Sequence, residues 1–380
     1  MTSVSEARAT LAVKSSPTRV IVGMSGGVDS SVAALLLQQQ GYAVSGIFMK
    51  NWEDNDPDYP CTAKEDAIDA LDVCEHIGID MDAITFVDEY RERVFALFLE
   101  ELRRGRTPNP DILCNKEIKF RAFLDYALAQ GAERIATGHY ARIVERDGLF
   151  ELHKGRDAHK DQSYFLYALD QSQLSRTLFP VGELTKPQVR ALAQQAGLRN
   201  HAKKDSTGIC FIGERQFKRF LLKHLPSRPG DIRSVEGAAL GRHDGLMYYT
   251  LGQRQGLGIG GVKSGSGEPW FVVQKNTLTN TLVVAQGENH PMLMSKSLIA
   301  ENMNWIAGAA PATPFACHAK VRYRQADQAC TVSTLDAGRY AVEFIEPQRA
   351  ITPGQSVVLY QGDHCLGGGV IAATQDGPIL

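Results

Sequence analysis

The chain has 380 residues, with 41 Lys and Arg against 43 Asp and Glu for a net charge of −2, and it is 43% hydrophobic and 22% charged. That balance excludes a disordered polyelectrolyte and suits a globular protein of two or three domains. No stretch reaches membrane-spanning length, and the seven scattered cysteines (Cys61, Cys74, Cys114, Cys210, Cys317, Cys330, Cys365) form no C-x-x-C pair, which argues against a membrane span, a disulfide framework, a zinc site or an iron–sulfur cluster and for a reducing cytoplasm.

In chain order, residues 1–18 lack the apolar core of a secretory signal and read as a disordered tail, with a transit peptide as the alternative. The apolar run Arg19–Met24 predicts a strand, and Asp29–Gln40 predicts a helix ending at Gly41. Between them lies SGGVDS, Ser25–Ser30. Gly26 and Gly27 allow positive φ and close backbone approach, and the following helix start offers unpaired N–H groups with a partial positive charge. This is a cradle for an anion, most naturally a phosphate chain. The run has no lysine, so it is not a Walker A loop.

A strand at Ala43–Met49 follows, then a helix at Thr62–Ile77 that places Ala67, Leu71, Cys74 and Ile77 on one face, which makes Cys74 a core residue. A strand at Ala83–Val87, a helix at Lys119–Gln130 stopping at Gly131, and a strand at Arg134–Thr137 leading into Gly138-His139-Tyr140 complete an alternating pattern. That alternation predicts α/β architecture with a doubly wound parallel sheet, whose ligands gather at the carboxyl ends of the strands, where SGGVDS, Met49 and Gly138 fall. After Pro226 glycine and proline become frequent. Gly252–Gly261 holds five glycines with no helix after it, and reads as a flexible or closely packed connector. From about Ser295, short β runs separated by turns predict a small β-barrel or sandwich. The expected domains are 19–225 (α/β), 226–294 (a small central β-containing unit) and 295–380 (the β-rich C-terminal unit).

Charge is uneven along the chain. From Asn51 to Glu92 fourteen acids face only Lys64 and Arg91, a net of −12, and from Arg199 to Arg233 nine basic residues face three acids, a net of +6. The basic tract is either a phosphate-binding surface or a solvated face. Two cysteines stand out by their surroundings. Cys114 lies in TPNPDILCNKEIKF, after the turn Asn109-Pro110-Asp111 and within about a turn of a helix start, with Lys116 and Lys119 nearby. Cys210 lies in DSTGICFIGE behind Lys203 and Lys204. Each alone reads as a buried small hydrophobe or as an activated thiol.

SGGVDS resembles the PP-loop of ATP pyrophosphatases, which split ATP into AMP and pyrophosphate. GMSGGVDSSVAALLL, NPDILCNKEIKF, ATGHYAR, KDQSYFL and DSTGICFIGE, in that order, resemble the bacterial tRNA-specific 2-thiouridylase family, and the likeness spans essentially residues 19–380. The resemblance implies an enzyme that adenylates the C2 oxygen of the wobble uridine in tRNAs for Lys, Glu and Gln and replaces it with sulfur. It implies that Gly23, Met24, Ser25, Gly26, Gly27, Val28, Asp29 and Ser30 hold ATP, that Met49 and Gly138 flank the adenosine, and that Mg²⁺ accompanies the phosphates with Asp29 as a candidate ligand. It assigns the target base to Asn109, Pro110 and Asp111, with Asp111 as acid or base, or else only a cap. It assigns tRNA contacts to His139, Lys160, Asp161, Gln162, Arg322, Tyr323 and Gln355. Cys210 would carry a persulfide loaded by a cysteine desulfurase or sulfur relay protein. Cys114 would be the nucleophile and pair with Cys210 in a transient disulfide. A cytoplasmic monomer is expected. The alternatives are a PP-loop ligase or amidotransferase, whose adenylate is attacked by an amine and which needs neither cysteine, and a non-catalytic RNA-binding protein.

Overall fold

The structure is a computed structural model that describes residues 17–53, 63–205, 217–259, 267–336 and 338–374. The expected tail up to residue 16, and Cys61 and Cys210, lie outside the described residues.

Strand β1 (Arg19–Met24) is buried on both faces. Val20, Val22 and Met24 pack into a core with Val32, Ala33 and Leu37, and Ile21 packs into a second core with Ile47, Ile135 and Phe123. The Ala- and Leu-rich helix α1 (Val28–Gln39) supplies the first of these faces. It stops where Gly41 takes φ +86° and the amides of Gly41 and Tyr42 cap the carbonyls of Gln38 (3.0 Å) and Leu37 (3.2 Å). Strand β2 (Ala43–Lys50), helix α2 (Ala63–Ile77) and strand β3 (Met81–Thr85) follow. Cys74 is fully buried in the α1 face core, as its helical spacing predicts, and burial pushes its thiol up to about 11.

The strand expected at Ala83–Val87 runs two residues earlier, because Phe86 and Val87 begin a helical stretch not anticipated from the sequence. It consists of Val87–Tyr90, a π-helical segment Arg91–Phe95, and Ala96–Arg103, and it buries Tyr90, Val94, Phe98 and Leu102. The helix expected at Lys119–Gln130 starts earlier too. Asn109 caps Pro110–Leu113, the winding widens to π over Cys114–Ala122, and Phe123–Ala129 finishes as α-helix.

Strand β4 (Arg134–Ala136) pairs with β1, a hairpin of β5 (Ala141–Arg146) and β6 (Leu149–Lys154) follows, and the short β7 (Thr177–Leu178) adds to β4. The sheet order is β3-β2-β1-β4-β7 and every neighbour is parallel. The chain therefore switches direction across the sheet between β1 and β4, and a crevice opens at their carboxyl ends.

The central unit is a four-stranded sheet of β8 (Gly230–Ser234), β9 (Ala239–His243), β10 (Trp270–Asn276) and β11 (Thr281–Gln286) in the order β10-β11-β8-β9. Its glycine-rich connector packs closely at Gly252, where φ is +78° and a Cβ would lie 2.8 Å from that of Ala350; Gly260 and Gly261 lie outside the described residues. The C-terminal unit comprises β12 (Met294–Trp305), β13 (Phe315–Lys320), β14 (Gln328–Asp336), β15 (Arg339–Arg349), β16 (Ser356–Gln361) and β17 (His364–Thr374). The order β12-β15-β14-β13-β16-β17 closes through β12–β17 pairing, so of the two expected forms it is the barrel. The hairpin β5–β6 then attaches to this barrel from outside, with His153 opposite His364 and Leu152 opposite Cys365.

Candidate active site

β1 delivers Ser25 to the crevice as an exposed residue, and Gly26 turns the chain with φ +72° so tightly that a Cβ would meet the Asp66 carbonyl oxygen at 2.3 Å. Gly27 is the N-cap of α1, and no side chain caps that end. Hydroxyls hold the loop: Ser25 Oγ and Ser30 Oγ lie 3.2 Å apart, and Ser30 and Ser31 donate to the Gly27 carbonyl at 3.1 and 2.9 Å. Gly138 comes from the end of β4 to the other side of the same turn, where a Cβ would stand 2.6 Å from the Ser30 amide nitrogen. Gly23 lies against Met49, whose methyl would be 2.9 Å from a Cβ there. The residues expected around a nucleotide thus converge, and the open glycine turn with an uncapped helix start fits a phosphate group.

Asp29 stands in the first turn of α1. Its carboxylate accepts from Tyr140 Oη at 2.7 Å and from Lys186 Nζ at 2.8 Å on each oxygen. Asp29, the candidate Mg²⁺ ligand, thus holds an ammonium and a phenol in this structure. No group of three or more potential metal-binding side chains occurs among the described residues. Lys186 also lies 2.7 Å from Asp205, which receives Lys160 at 2.6 Å and Arg190 at 3.3 Å. Burial opposes ionisation of Asp205, but the bonds from Lys160 and Lys186 prevail and hold its carboxyl down at about 2.

The second half of the site is the turn before Cys114. Asn109 Oδ1 accepts from the Asp111 amide at 3.1 Å, which fixes the helix start. Asp111 is pushed up by burial, with the Lys119 charge pulling the other way. Cys114 follows one turn later, 1% exposed, and Asn115 Nδ2 donates to the Phe165 carbonyl at 3.1 Å. The Tyr323 ring sits 4.5 Å from that of Phe165, and Gln355 donates to the Thr107 carbonyl at 2.7 Å, seven residues before Cys114. The Arg322 guanidinium donates to the carbonyls of Ala350 (2.6 Å) and Leu251 (3.4 Å).

Other expected tRNA contacts face inward. His139 is 8% exposed, bonded to Thr137 Oγ1 at 2.8 Å and flanked by Phe120 and Phe179; burial, aided by Lys119, pushes its imidazole well below the usual range. Asp161 is buried and accepts from Gly155 and Ser163, while Gln162 accepts from the Tyr140 amide at 3.0 Å. Lys160 is spent on Asp205. Parts of the acidic and basic tracts also neutralise each other: Arg199 pairs with Asp72, and Lys203 with Asp66 and Asp69 on α2. Neither a wholly solvated face nor a wholly phosphate-binding one describes that stretch. Sequence reasoning missed Lys186, Asp205 and Asn200. Thr185-Lys186-Pro187 signals a helix start, but nothing local points to Asp29.

Three family models match in series: a "tRNA methyl transferase HUP domain" over residues 18–214, a "tRNA methyl transferase PRC-barrel domain" over 218–286, and an "Aminomethyltransferase beta-barrel domain" over 295–371. A tRNA-specific 2-thiouridylase MnmA of Methylococcus capsulatus is 61% identical over 357 residues, covering 93% of this chain and 96% of the relative. The proteins of the same name from Methylobacillus flagellatus and Nitrosococcus oceani are each 60% identical, covering 93% and 94% of this chain and 99% and 97% of theirs.

Proposed function

The chain belongs to the tRNA-specific 2-thiouridylase family of tRNA sulfurtransferases, and from that premise we propose that it uses ATP to activate the C2 oxygen of a wobble uridine in tRNAs for Lys, Glu and Gln and exchanges it for sulfur. The observation that carries the ATP half is the uncapped start of α1 behind a glycine turn, at the crevice between β1 and β4. A uracil C2 carbonyl is a poor electrophile with a poor leaving group. Attack of its oxygen on the α-phosphate releases pyrophosphate and turns that oxygen into part of AMP.

Cys210 then carries the sulfur as a persulfide, supplied by a cysteine desulfurase or a sulfur relay protein. The terminal sulfur adds at C2 and AMP departs with the original oxygen. The Cys114 thiolate attacks the Cys210 sulfur, which breaks the S–S bond to the base, leaves 2-thiouridine and forms a Cys114–Cys210 disulfide that a thiol reductant reopens. Asp111, one turn from Cys114 and raised by burial, is placed to hold a proton near the target base. Tyr323 would offer a ring for stacking and Gln355 an amide for hydrogen bonding to the tRNA. His139, Asp161 and Gln162 serve RNA indirectly, by holding the loops that carry Gly138 and Lys160.

The test is direct: purified chain, ATP, Mg²⁺, unmodified tRNA and a desulfurase, with nucleosides read by mass spectrometry. 2-Thiouridine is expected, and Cys114→Ser or Cys210→Ser should abolish it while tRNA-dependent pyrophosphate release persists. No 2-thiouridine with a competent desulfurase overturns the reading. Turnover indifferent to both cysteine changes would point to an adenylate attacked by an amine.

A further inference from the structure

The chain enters the Cys114 helix through Arg106 and Thr107, and the barrel holds both of these residues. Thr107 is gripped on either side: its amide donates to the Pro353 carbonyl at 2.9 Å, and its carbonyl accepts from Gln355 at 2.7 Å. Gly354, with φ +90°, passes so close that a Cβ would stand 2.8 Å from the Thr107 amide nitrogen. Arg106 lies 2.8 Å from Glu101 of its own unit, and its other end pairs at 2.8 Å with Glu301 on β12.

Neither side of this clamp is soft. The barrel turn is tied to β17, because Gly354 donates to the Ile371 carbonyl at 2.9 Å and Ile371 donates to that of Gln355 at 2.8 Å. β17 in turn closes the barrel against β12. Past Thr107, Asn109 caps the helix start and Pro110 takes its first position with φ fixed by the ring. Little backbone freedom separates the clamp from Cys114, so a shift of the barrel turn passes on to Asn109, Asp111 and the thiol.

We infer that Arg106 and Gly354 are positioning residues through which the C-terminal barrel sets the place of the Asn109–Asp111 turn and of Cys114. Neither touches the reacting atoms. The consequence for turnover rests on the thiolation reading given above; the clamp itself does not.

The experiment compares the full chain with Gly354→Ala, Arg106→Met and Arg106→Lys in three measurements. These are 2-thiouridine formation with ATP and a desulfurase, affinity for unmodified tRNA by filter binding, and deuterium exchange of peptides by mass spectrometry. Gly354→Ala and Arg106→Met should each lower kcat by about tenfold, within the roughly 100-fold that a misplacement of about 1 Å costs. Affinity for tRNA should stay at the parent value, and Arg106→Lys, which keeps the charge, should restore part of kcat. Exchange over residues 107–118 should quicken by about tenfold, while residues 19–40 exchange as in the parent. If Gly354→Ala opens the barrel, seen as faster exchange across β12–β17, the Arg106 pair decides. Weaker tRNA affinity with kcat unchanged overturns the inference, since the turn would then act by binding RNA. Parent-like kcat in Gly354→Ala and Arg106→Met overturns it as well. A parent chain that makes no 2-thiouridine overturns the thiolation reading alone; exchange then decides, and unchanged exchange over 107–118 in both variants overturns the clamp.

Discussion

Lys275, in β10, is 3% exposed and burial alone lowers its ammonium from the ordinary 10.5 to about 8. It donates to the Tyr249 carbonyl at 3.1 Å and reaches Thr107 Oγ1 at 3.4 Å, both uncharged, and it helps line a cavity of about 330 Å³ where the central sheet, the barrel and Gly105 meet. A shift of this size corresponds to about 3 kcal/mol of destabilisation at neutral pH, fully present below the folded value. Between about pH 8 and 10.5 the unfolded chain still holds the proton that the folded one has lost, so this contribution makes stability rise with pH, by about 2 kcal/mol from pH 7 to pH 9.5. Lys275→Met removes the charge and two hydrogen bonds worth about 1 kcal/mol each. The variant should therefore be more stable than the parent by about 1 kcal/mol at pH 7 and less stable by about the same amount at pH 9.5. Urea unfolding of both chains at the two pH values is the assay. A stability difference that stays constant across that interval, within about 0.5 kcal/mol, refutes the reasoning, because it would mean the ammonium is neither dry nor shifted.

Three further outcomes follow from the site. Gly138→Ala drives a methyl against the Ser30 amide and should cost about 100-fold in tRNA-dependent pyrophosphate release with the fold intact by circular dichroism; a parent-like rate would place the nucleotide elsewhere. Asn109→Ala removes the cap of the Cys114 helix and should lower stability by about 1 kcal/mol in urea, with Asn109→Asp close to the parent. His139 stays neutral when folded but takes up a proton when unfolded below its ordinary 6.5, so its burial contributes stability that is present above that value and lost as pH falls. His139→Gln should flatten the acid side of the urea midpoint profile between about pH 5 and 7.

The nucleotide half of the site was legible because its signals are local. An apolar strand, a glycine pair and an Ala/Leu helix ending on glycine occupy one short stretch, and each element follows from its own residues. The helical stretch 87–103 was missed since its charged residues crowd an apolar face carried by Tyr90, Val94, Phe98 and Leu102. The partners of Asp29 were beyond reach for a different reason: Lys186 lies far along the chain, and only the fold brings an ammonium to that carboxylate. The same holds for the opposed charge tracts. Composition reported two surfaces, whereas α2 and the segment after Leu198 spend part of that charge on each other. The resemblance assigns His139 and Asp161 to tRNA, whereas packing turns both side chains inward.

The attachment of the β5–β6 hairpin to β17 sets an order of completion during synthesis. Leu152 and His153 leave the ribosome 213 and 211 residues ahead of their partners Cys365 and His364, a wait on the order of ten to forty seconds at ordinary elongation rates. Throughout that interval the outer edge of β6 presents unpaired amides and carbonyls, and Leu152, fully buried in the finished protein, has no cover from β17. A chain interrupted before His364 also lacks the strand that joins β16 to β12, so its barrel stays open. The nascent protein therefore carries its sticky edge inside the nucleotide-binding half, and a premature stop near the end should harm solubility more than the few missing residues suggest.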